Sequence, residues 1–228
     1  MSFIWITLLI NTLCNVLAAV YSYIVLYTDW AKAHQIQPKI RSTGIFWQRL
    51  PLILLNLTLL SGLTAVGLYA GRNFFVIDQL PTVWVFVGQL LFILFCDDFY
   101  FYFYHRLMHE NKFLLSKIHY LHHRAYQPFP LEYIYVHPLE WMGGYIGPFV
   151  AILLLQQTNI YVLWAYVILR NLHEIDIHSG IKSVLMNKVP LIAPAEHHDL
   201  HHARLQGNYA SMFKIWDWVF GTVMKKQP

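Results

Sequence analysis

From Phe3 to Tyr27 the chain runs for 25 residues without a charged side chain. A stretch of that length can cross the roughly 30 Å hydrocarbon core of a bilayer. Lipid offers the backbone no hydrogen-bond partners, so such a segment must satisfy its own N–H and C=O groups as a helix. Apolar runs recur at Leu50–Ala70 and from Pro81 to about Tyr104. Two shorter arms follow, from His137 to Leu155 and from Ile160 to Ile177, separated by the polar Gln156-Gln157-Thr158-Asn159. Each is near the minimum length for a span, and together they read as a tight helical hairpin. Hydrophobic residues make up 57% of the chain and charged ones 12%, which excludes an ordinary soluble domain. Cys14 and Cys96 both sit inside apolar runs, so no disulfide framework is implied.

The charges agree with this layout. No Lys or Arg precedes Lys32, and the first apolar run is too long for a cleavable leader, so it reads as a retained anchor. With the N-terminus outside, the segments 28–49, 105–137 and 178–228 face the cytoplasm. Fifteen of the sixteen Lys and Arg residues then lie on or near that side, with only Arg72 outside. The net charge of +4 is thus a membrane-flank signal and not a nucleic-acid one. The tail Lys225-Lys226-Gln227-Pro228 fits either a dilysine retrieval pattern or a plain basic end. The expected fold is an all-α integral membrane protein with about four to five transmembrane helices. Residues 1–80 supply N-terminal membrane helices, and 81–228, the expected functional domain with the histidines described next, form one structural unit with them.

Histidine is the other constraint. Twelve of the thirteen histidines fall between 105 and 202. His105 and His109 are spaced i, i+4, and H-x-x-H-H occurs twice, at His119/His122/His123 and at His198/His201/His202. On a helix each set shares a face. A single zinc takes three or four ligands, so this surplus suits two metals better than one. Polar histidines lying at a membrane surface are the plainer alternative. His178 shares a helical face with Asn171 and Glu174 and joins the ligand candidates. His137, His173 and His197 are further candidates, whereas His34 sits in a basic loop apart from any motif.

Ligating imidazoles need their second nitrogen held, and Asp98, Glu140, Asp176, Glu196 and Asp199 are the carboxylates at hand. Asp98, Glu140 and Asp199 are the catalytic candidates among them. Asp98 also belongs, with Asp97, to an ionisable pair inside an apolar run, which marks either a functional site or a watery vestibule. The six aromatics Phe99–Tyr104 read as an interfacial belt past which a bilayer-dissolved substrate would pass. Trp216–Phe220 either caps the site or packs at the interface. Two classes of function stay open. One is oxygen chemistry on a lipid, and the other is a non-enzymatic, histidine-rich metal-binding membrane protein. A carrier would string its ligands along a mid-membrane path. Here they gather after the ends of spans.

The motifs Asp98…His105-Arg106-x-x-His109, His119-x-x-His122-His123, His137-Pro-Leu-Glu140, His178-Ser-Gly and His198-x-x-His201-His202 resemble the fatty acid hydroxylase/sterol desaturase superfamily of integral membrane oxygenases. The passages 127–140, 174–180, 197–202 and 207–222 look most like the C-4 methylsterol monooxygenases. The resemblance covers roughly 80–222. It implies a cytosolic di-iron site held by histidine, with zinc a possible occupant on isolation. It also implies O2 as oxidant and a separate electron donor of cytochrome b5 or ferredoxin type. The expected reaction is oxidation of an unactivated C–H bond of a lipid, with a sterol-like C-4 methyl as target. Desaturation or hydroxylation of another lipid (C-5 sterol, fatty acyl or carotenoid) is the alternative. His173 stands where the methyl oxidases carry Glu and Trp218 where they carry Arg, departures that bear on the substrate. The implied location is the endoplasmic reticulum of a eukaryote or the inner membrane of a bacterium, with the site on the cytoplasmic side.

Overall fold

The computed structural model describes residues 2–38, 44–184 and 186–224. Lys39, Arg41 and the dilysine pair lie outside the described residues. Among the described residues four segments are long and apolar enough to cross a membrane: α1 (Ser2–Tyr27), α3 (Ile45–Ala70), α4 (Val83–Glu110) and Pro138–Leu155. Between the first two lies the short α2 (Asp29–His34), whose first turn is capped by the Thr28 side chain. The fourth is two helices, α7 (Pro138–Gly144) and α8 (Ile146–Leu155), meeting at Tyr145.

Three boundaries have local causes. Thr82 accepts a hydrogen bond from Val85 N and starts α4, with Pro81 just before it. His137 caps α7 through its own ring nitrogen, with Pro138 in the first turn where its missing N–H costs nothing. Asn159 caps α9 (Ile160–Ile177) by accepting from Tyr161 N.

Two expectations change in detail. The third span was expected to end near Tyr104, but α4 continues to Glu110 as 28 helical residues. At about 1.5 Å per residue that is roughly 42 Å, more than a bilayer core, so its last turns carry His105 and His109 clear of the apolar run. The hairpin's second arm, α9, is helical throughout, yet Arg170, Glu174 and Asp176 keep it from being a span by composition. It packs instead against α1 and α4.

Polar contacts tie the first helices to the rest. Thr7 Oγ1 accepts from Trp164 Nε1 at 3.0 Å, and the Tyr133 hydroxyl lies 2.8 Å from Asn15 and 3.1 Å from Asn171. Ser22 Oγ accepts from Leu131 N, and buried Asn56 of α3 donates to the carbonyls of Ile134 and Val136 while accepting from Trp141 Nε1. Within lipid such bonds hold helices together where hydrophobic driving force is missing. α4 and α8 approach closely at Gly147, where a Cβ would stand 2.9 Å from Asp97 Cα. The one β ladder among the described residues is a two-residue parallel pairing, β1 (Phe75–Val76) with β2 (Thr158–Asn159).

Candidate metal centre

Four elements bring the histidines together. The end of α4 gives His105 and His109. A continuous turn of chain follows: α5 (Lys112–Leu114), a π-helical segment Leu115–His119 and α6 (Tyr120–His123). It supplies His119, His122 and His123. His178 caps the C-terminus of α9, and α10 (Ala195–Arg204) supplies His198, His201 and His202. All nine are buried, and their ring nitrogens form two groups. The first holds His105, His109, His119, His123 and His201; the second holds His122, His178, His198 and His202.

The expectation that each H-x-x-H-H motif presents one face is corrected here. His119 and His123 go to the first group and His122 to the second, while His198 and His202 go to the second and His201 to the first. Helical geometry explains the split. Residue i+4 lies about 40° to one side of residue i, and i+3 about 60° to the other, so consecutive histidines diverge by about 100°. Each motif straddles two centres. They are adjacent, with the His123 and His202 rings 4.8 Å apart.

Within each group it is Nε2 that converges. His119 Nε2 lies 2.8 Å from His109 Nε2, 2.9 Å from His123 Nε2 and 3.2 Å from His105 Nε2, and His109 Nε2 lies 3.1 Å from His201 Nε2. In the second group His198 Nε2 stands 3.1 Å from both His178 and His202, and His178 lies 3.3 Å from His122. With metal–nitrogen bonds of about 2.1 Å, neighbouring ligand atoms sit about 3.0 Å apart in an octahedron and about 3.4 Å in a tetrahedron.

The outer nitrogens fix the protons. His105 Nδ1 meets the Tyr209 carbonyl at 2.7 Å, His201 Nδ1 the Gly207 carbonyl at 2.7 Å, and His178 Nδ1 the Glu174 carbonyl at 2.9 Å. A carbonyl only accepts, so Nδ1 carries the hydrogen and Nε2 presents a lone pair inward. His119 Nδ1 lies 2.9 Å from Glu140 Oε1. The His105 Nε2 lone pair thus faces His119 Nε2 across 3.2 Å, the spacing of two ligand atoms on one cation. Burial, with neighbouring imidazoles adding to it, holds His119, His122, His123, His198, His201 and His202 well below 6.5, which keeps them in the neutral ligand form. The residues present therefore fit two histidine-bound metal ions.

The other candidates are placed elsewhere. Asp98 turns away from the histidines: its carboxylate accepts from Met212 N, Phe213 N and Trp216 Nε1 at 2.7–2.9 Å and so pins the C-terminal segment. Asp199 accepts from Gln37 Nε2 at 2.5 Å, reaching back to the segment after α2. Asp176 takes the Ser183 hydroxyl, and Glu196 takes Ser183 N and Asn187, so both brace the 183–196 loop instead of a ligand. Of the five carboxylates, Glu140 alone meets a clustered imidazole in these contacts. His137 is a helix cap, His173 Nε2 faces the Ser211 carbonyl at 3.0 Å, and His197 Nε2 meets Asp217 Oδ2 at 2.8 Å; none of the three joins either group. Exposed His34 bonds to the Trp30 carbonyl of its own helix.

Sequence reasoning missed the partners that are backbone. The carbonyls of Gly207 and Tyr209 are aimed by a kinked strap in which Leu205, Gly207 and Asn208 all have positive φ. At Gly207 a Cβ would meet Thr222 O at 2.8 Å as well as strain the φ of +62°, so the turn requires glycine. Asp217 secures the same strap, accepting from Tyr209 N and Ala210 N. Trp216 and Phe220, on and just after α11 (Ile215–Val219), pack on the aromatics of α4 instead of capping the site. Trp216 stacks edge-on to Phe95 and Phe99, and Phe220 against Tyr102 and Phe103.

One cavity opens on the centre and a second adjoins it through shared lining residues. The first and smaller one, of about 110 Å³, is bounded by His105, His119, His122, His178, Glu140 and the α8–α9 wall. The second and larger one, of about 400 Å³, lies among α1, α3, α8 and α9, lined by Leu60, Leu68, Phe74, Phe149, Ile152 and others. Its volume suits a small-molecule ligand. Of the Phe99–Tyr104 belt, Phe101 lines the small cavity and none of the six lines the larger one.

Comparison with known proteins agrees with this geometry. Residues 90–222 match the family model described as fatty acid hydroxylase. Methylsterol monooxygenase 1 of Rattus norvegicus is 33% identical over 225 residues, covering 96% of this chain and 76% of the relative. Methylsterol monooxygenase erg25B of Aspergillus fumigatus is 34% identical over 62% of this chain and 50% of its own. Very-long-chain aldehyde decarbonylase GL1-11 of Oryza sativa subsp. indica is 38% identical over 63% of this chain and 55% of its own. No solved structure matches the chain. With its apolar helices and paired histidine groups, the chain belongs to the fatty acid hydroxylase family of membrane-bound oxidoreductases.

Proposed function

We propose that this protein is a di-iron, O2-dependent lipid oxygenase that oxidises a C-4 methyl group of a sterol-like substrate. The observation that carries the metal reading is the convergence of nine Nε2 atoms into two groups, with the lone pair fixed inward by a carbonyl on Nδ1 at His105, His178 and His201. The nine imidazoles would hold two iron ions, five around one and four around the other. Iron bound there would supply O2 reduction and C–H oxidation, with one oxygen atom going to the lipid and the other to water, using two electrons and two protons from outside.

The chain's own residues do the rest. Glu140 and the 207 and 209 carbonyls hold rings in register. The buried α8–α9 wall excludes water from the small cavity, and the larger cavity holds the apolar body of the lipid. The sterol assignment is supported by the likeness to methylsterol monooxygenases over nearly the whole chain. A cytochrome b5-like or ferredoxin-like donor is the proposed electron source, and the cytoplasm the proposed side, following the positive flanks. The 38% match to a very-long-chain aldehyde decarbonylase favours a second reading, a long-chain aldehyde as substrate.

Metal replacement tests this. Imidazole sites prefer zinc to ferrous iron, so purified protein is expected to carry zinc and be inactive. Anaerobic loading with ferrous iron, followed by a reductant, a donor protein and O2, should oxidise a 4-methylsterol, while zinc-loaded protein should not. Equal activity with zinc, or turnover without O2, would overturn the oxygenase reading. Oxidation of an aldehyde but not of the sterol would overturn the substrate alone.

A further inference from the structure

The two cavities share a wall made by Tyr145, Pro148, Tyr166, Arg170 and Asn171. Arg170 is the cation of that wall. Its Nε donates to Asp97 Oδ2 at 2.9 Å, and its Nη1 to Ser211 Oγ at 3.1 Å and to Glu174 Oε1. Tyr166 OH adds a bond to the same Asp97 oxygen at 2.9 Å, and the Phe101 ring lies 5.4 Å from the guanidinium. Nη2 has no hydrogen-bond partner among the described residues. A guanidinium has five N–H donors, and the two on Nη2 are left by the protein to whatever occupies the cavities. The wall therefore asks for an acceptor.

The surrounding charges say which acceptor. Arg170 contributes one positive charge and already meets two carboxylates, Asp97 and Glu174. Those two carboxylates already compensate the guanidinium, so an anionic oxygen arriving there would lose its hydration without gaining a free positive charge from Arg170. A neutral hydroxyl or carbonyl has no such charge to desolvate. Position matters as well. Glu174 reaches from Arg170 to within 3.5 Å of His178 Nδ1, so the guanidinium and the second histidine group are one side chain apart. Arg170 also lines the same small cavity as His122, His178 and His198, so an oxygen held there belongs to the part of the substrate that enters that cavity.

We infer that Arg170 Nη2 binds a neutral oxygen of the substrate at the neck between the cavities, and that Asp97 and Glu174 make this neck reject lipid carboxylates. The inference rests on the lipid-oxygenase reading and narrows it. The preferred substrate carries a hydroxyl or carbonyl beside the oxidised carbon, as a sterol's hydroxyl stands beside C-4, and a free fatty acid is disfavoured.

Equilibrium binding to metal-loaded protein in nanodiscs tests this without turnover. The probes are a 4-methylsterol, its 3-deoxy counterpart and an analogue bearing a carboxylate at the same carbon. Wild-type protein should bind the hydroxyl form at least about tenfold more tightly than either analogue. Arg170→Lys, which keeps the charge but not the fork, should bind hydroxyl and deoxy forms within about twofold of each other at unchanged metal content. Asp97→Asn, by removing one negative charge, should tighten binding of the carboxylate analogue by about tenfold.

Equal binding of hydroxyl and deoxy forms by the wild type, as if water filled the neck, would overturn the inference whatever the turnover. So would discrimination surviving in Arg170→Lys. If that variant does not fold, the wild-type comparison and Asp97→Asn decide. Discrimination in binding without any O2-dependent oxidation would uphold the neck and overturn the oxygenase reading instead.

Discussion

A backbone carbonyl has no proton to give, and that fact sets the tautomer of His105, His178 and His201. The consequence is testable one residue at a time, because the two groups share no ligand. His109→Ala should disable the first group and His202→Ala the second, each leaving about half the wild-type metal and no turnover. His137→Ala removes only a helix cap, so metal content should stay intact at a stability cost of about 1 kcal/mol. Metal analysis of the three variants separates ligands from a neighbour that merely shares their residue type.

Acid should act on the same rings. Burial lowers the pKa of His119, His122, His123, His198, His201 and His202 in the folded chain well below 6.5. The unfolded chain then takes up protons first as pH falls, so the metal-free protein loses stability progressively below about pH 6.5. In the loaded protein protons compete with metal for the same lone pairs, so metal release accompanies that loss of the folded state. Thermal melts of chelator-treated protein between pH 7.5 and 5.5 should show a falling Tm. A flat profile would mean the imidazoles are not buried and neutral.

The strap from Leu205 to Phe213 is the part of the molecule on which two of those tautomers depend. Asp98 anchors its far end with three accepted hydrogen bonds, although its helix also carries two of the ligands. In Asp98→Asn one carboxylate oxygen becomes an NH2 facing donors, so at least one anchor is lost. Metal affinity should drop about 10- to 100-fold, as when ligand supports are removed elsewhere. Limited proteolysis should then cut within 205–214, and unchanged protection there would show the strap to be held by Asp217 alone. The π-helical segment Leu115–His119 is the other distinctive element, since π turns inside helices recur at functional sites. It lies directly before the motif that feeds both centres.

On the scale of the whole molecule the N-terminal helices are part of the site's architecture. α1 and α3 provide much of the 400 Å³ cavity, including Thr7, Asn11, Leu60 and Gly67. Gly67→Trp should fill that space, since a Cβ there already approaches Phe149 at 3.8 Å. The expected result is a KM for the lipid raised by about tenfold with metal content unchanged. An unaltered KM would place the lipid elsewhere.

Much of this molecule was legible before any coordinates. Uncharged runs dictate membrane helices because lipid leaves the backbone no alternative, and the spacing of the histidines dictates that they gather on helices. All nine imidazoles singled out as ligands lie in the two groups, for that reason. Periodicity, however, fixes a side chain's direction only to a face about 100° wide. Whether His122 turns toward His178 or toward its neighbour His123's partners depends on how α9 and α10 dock. The supporting carboxylates were misassigned for a related reason. Asp98, Asp176, Glu196 and Asp199 lie close to histidines in sequence, yet each accepts a hydrogen bond from a group outside the histidine motifs. The partners that do fix the rings at His105, His178 and His201 are main-chain carbonyls, which every residue possesses and no sequence pattern can single out. Only the tertiary path of the strap aims them.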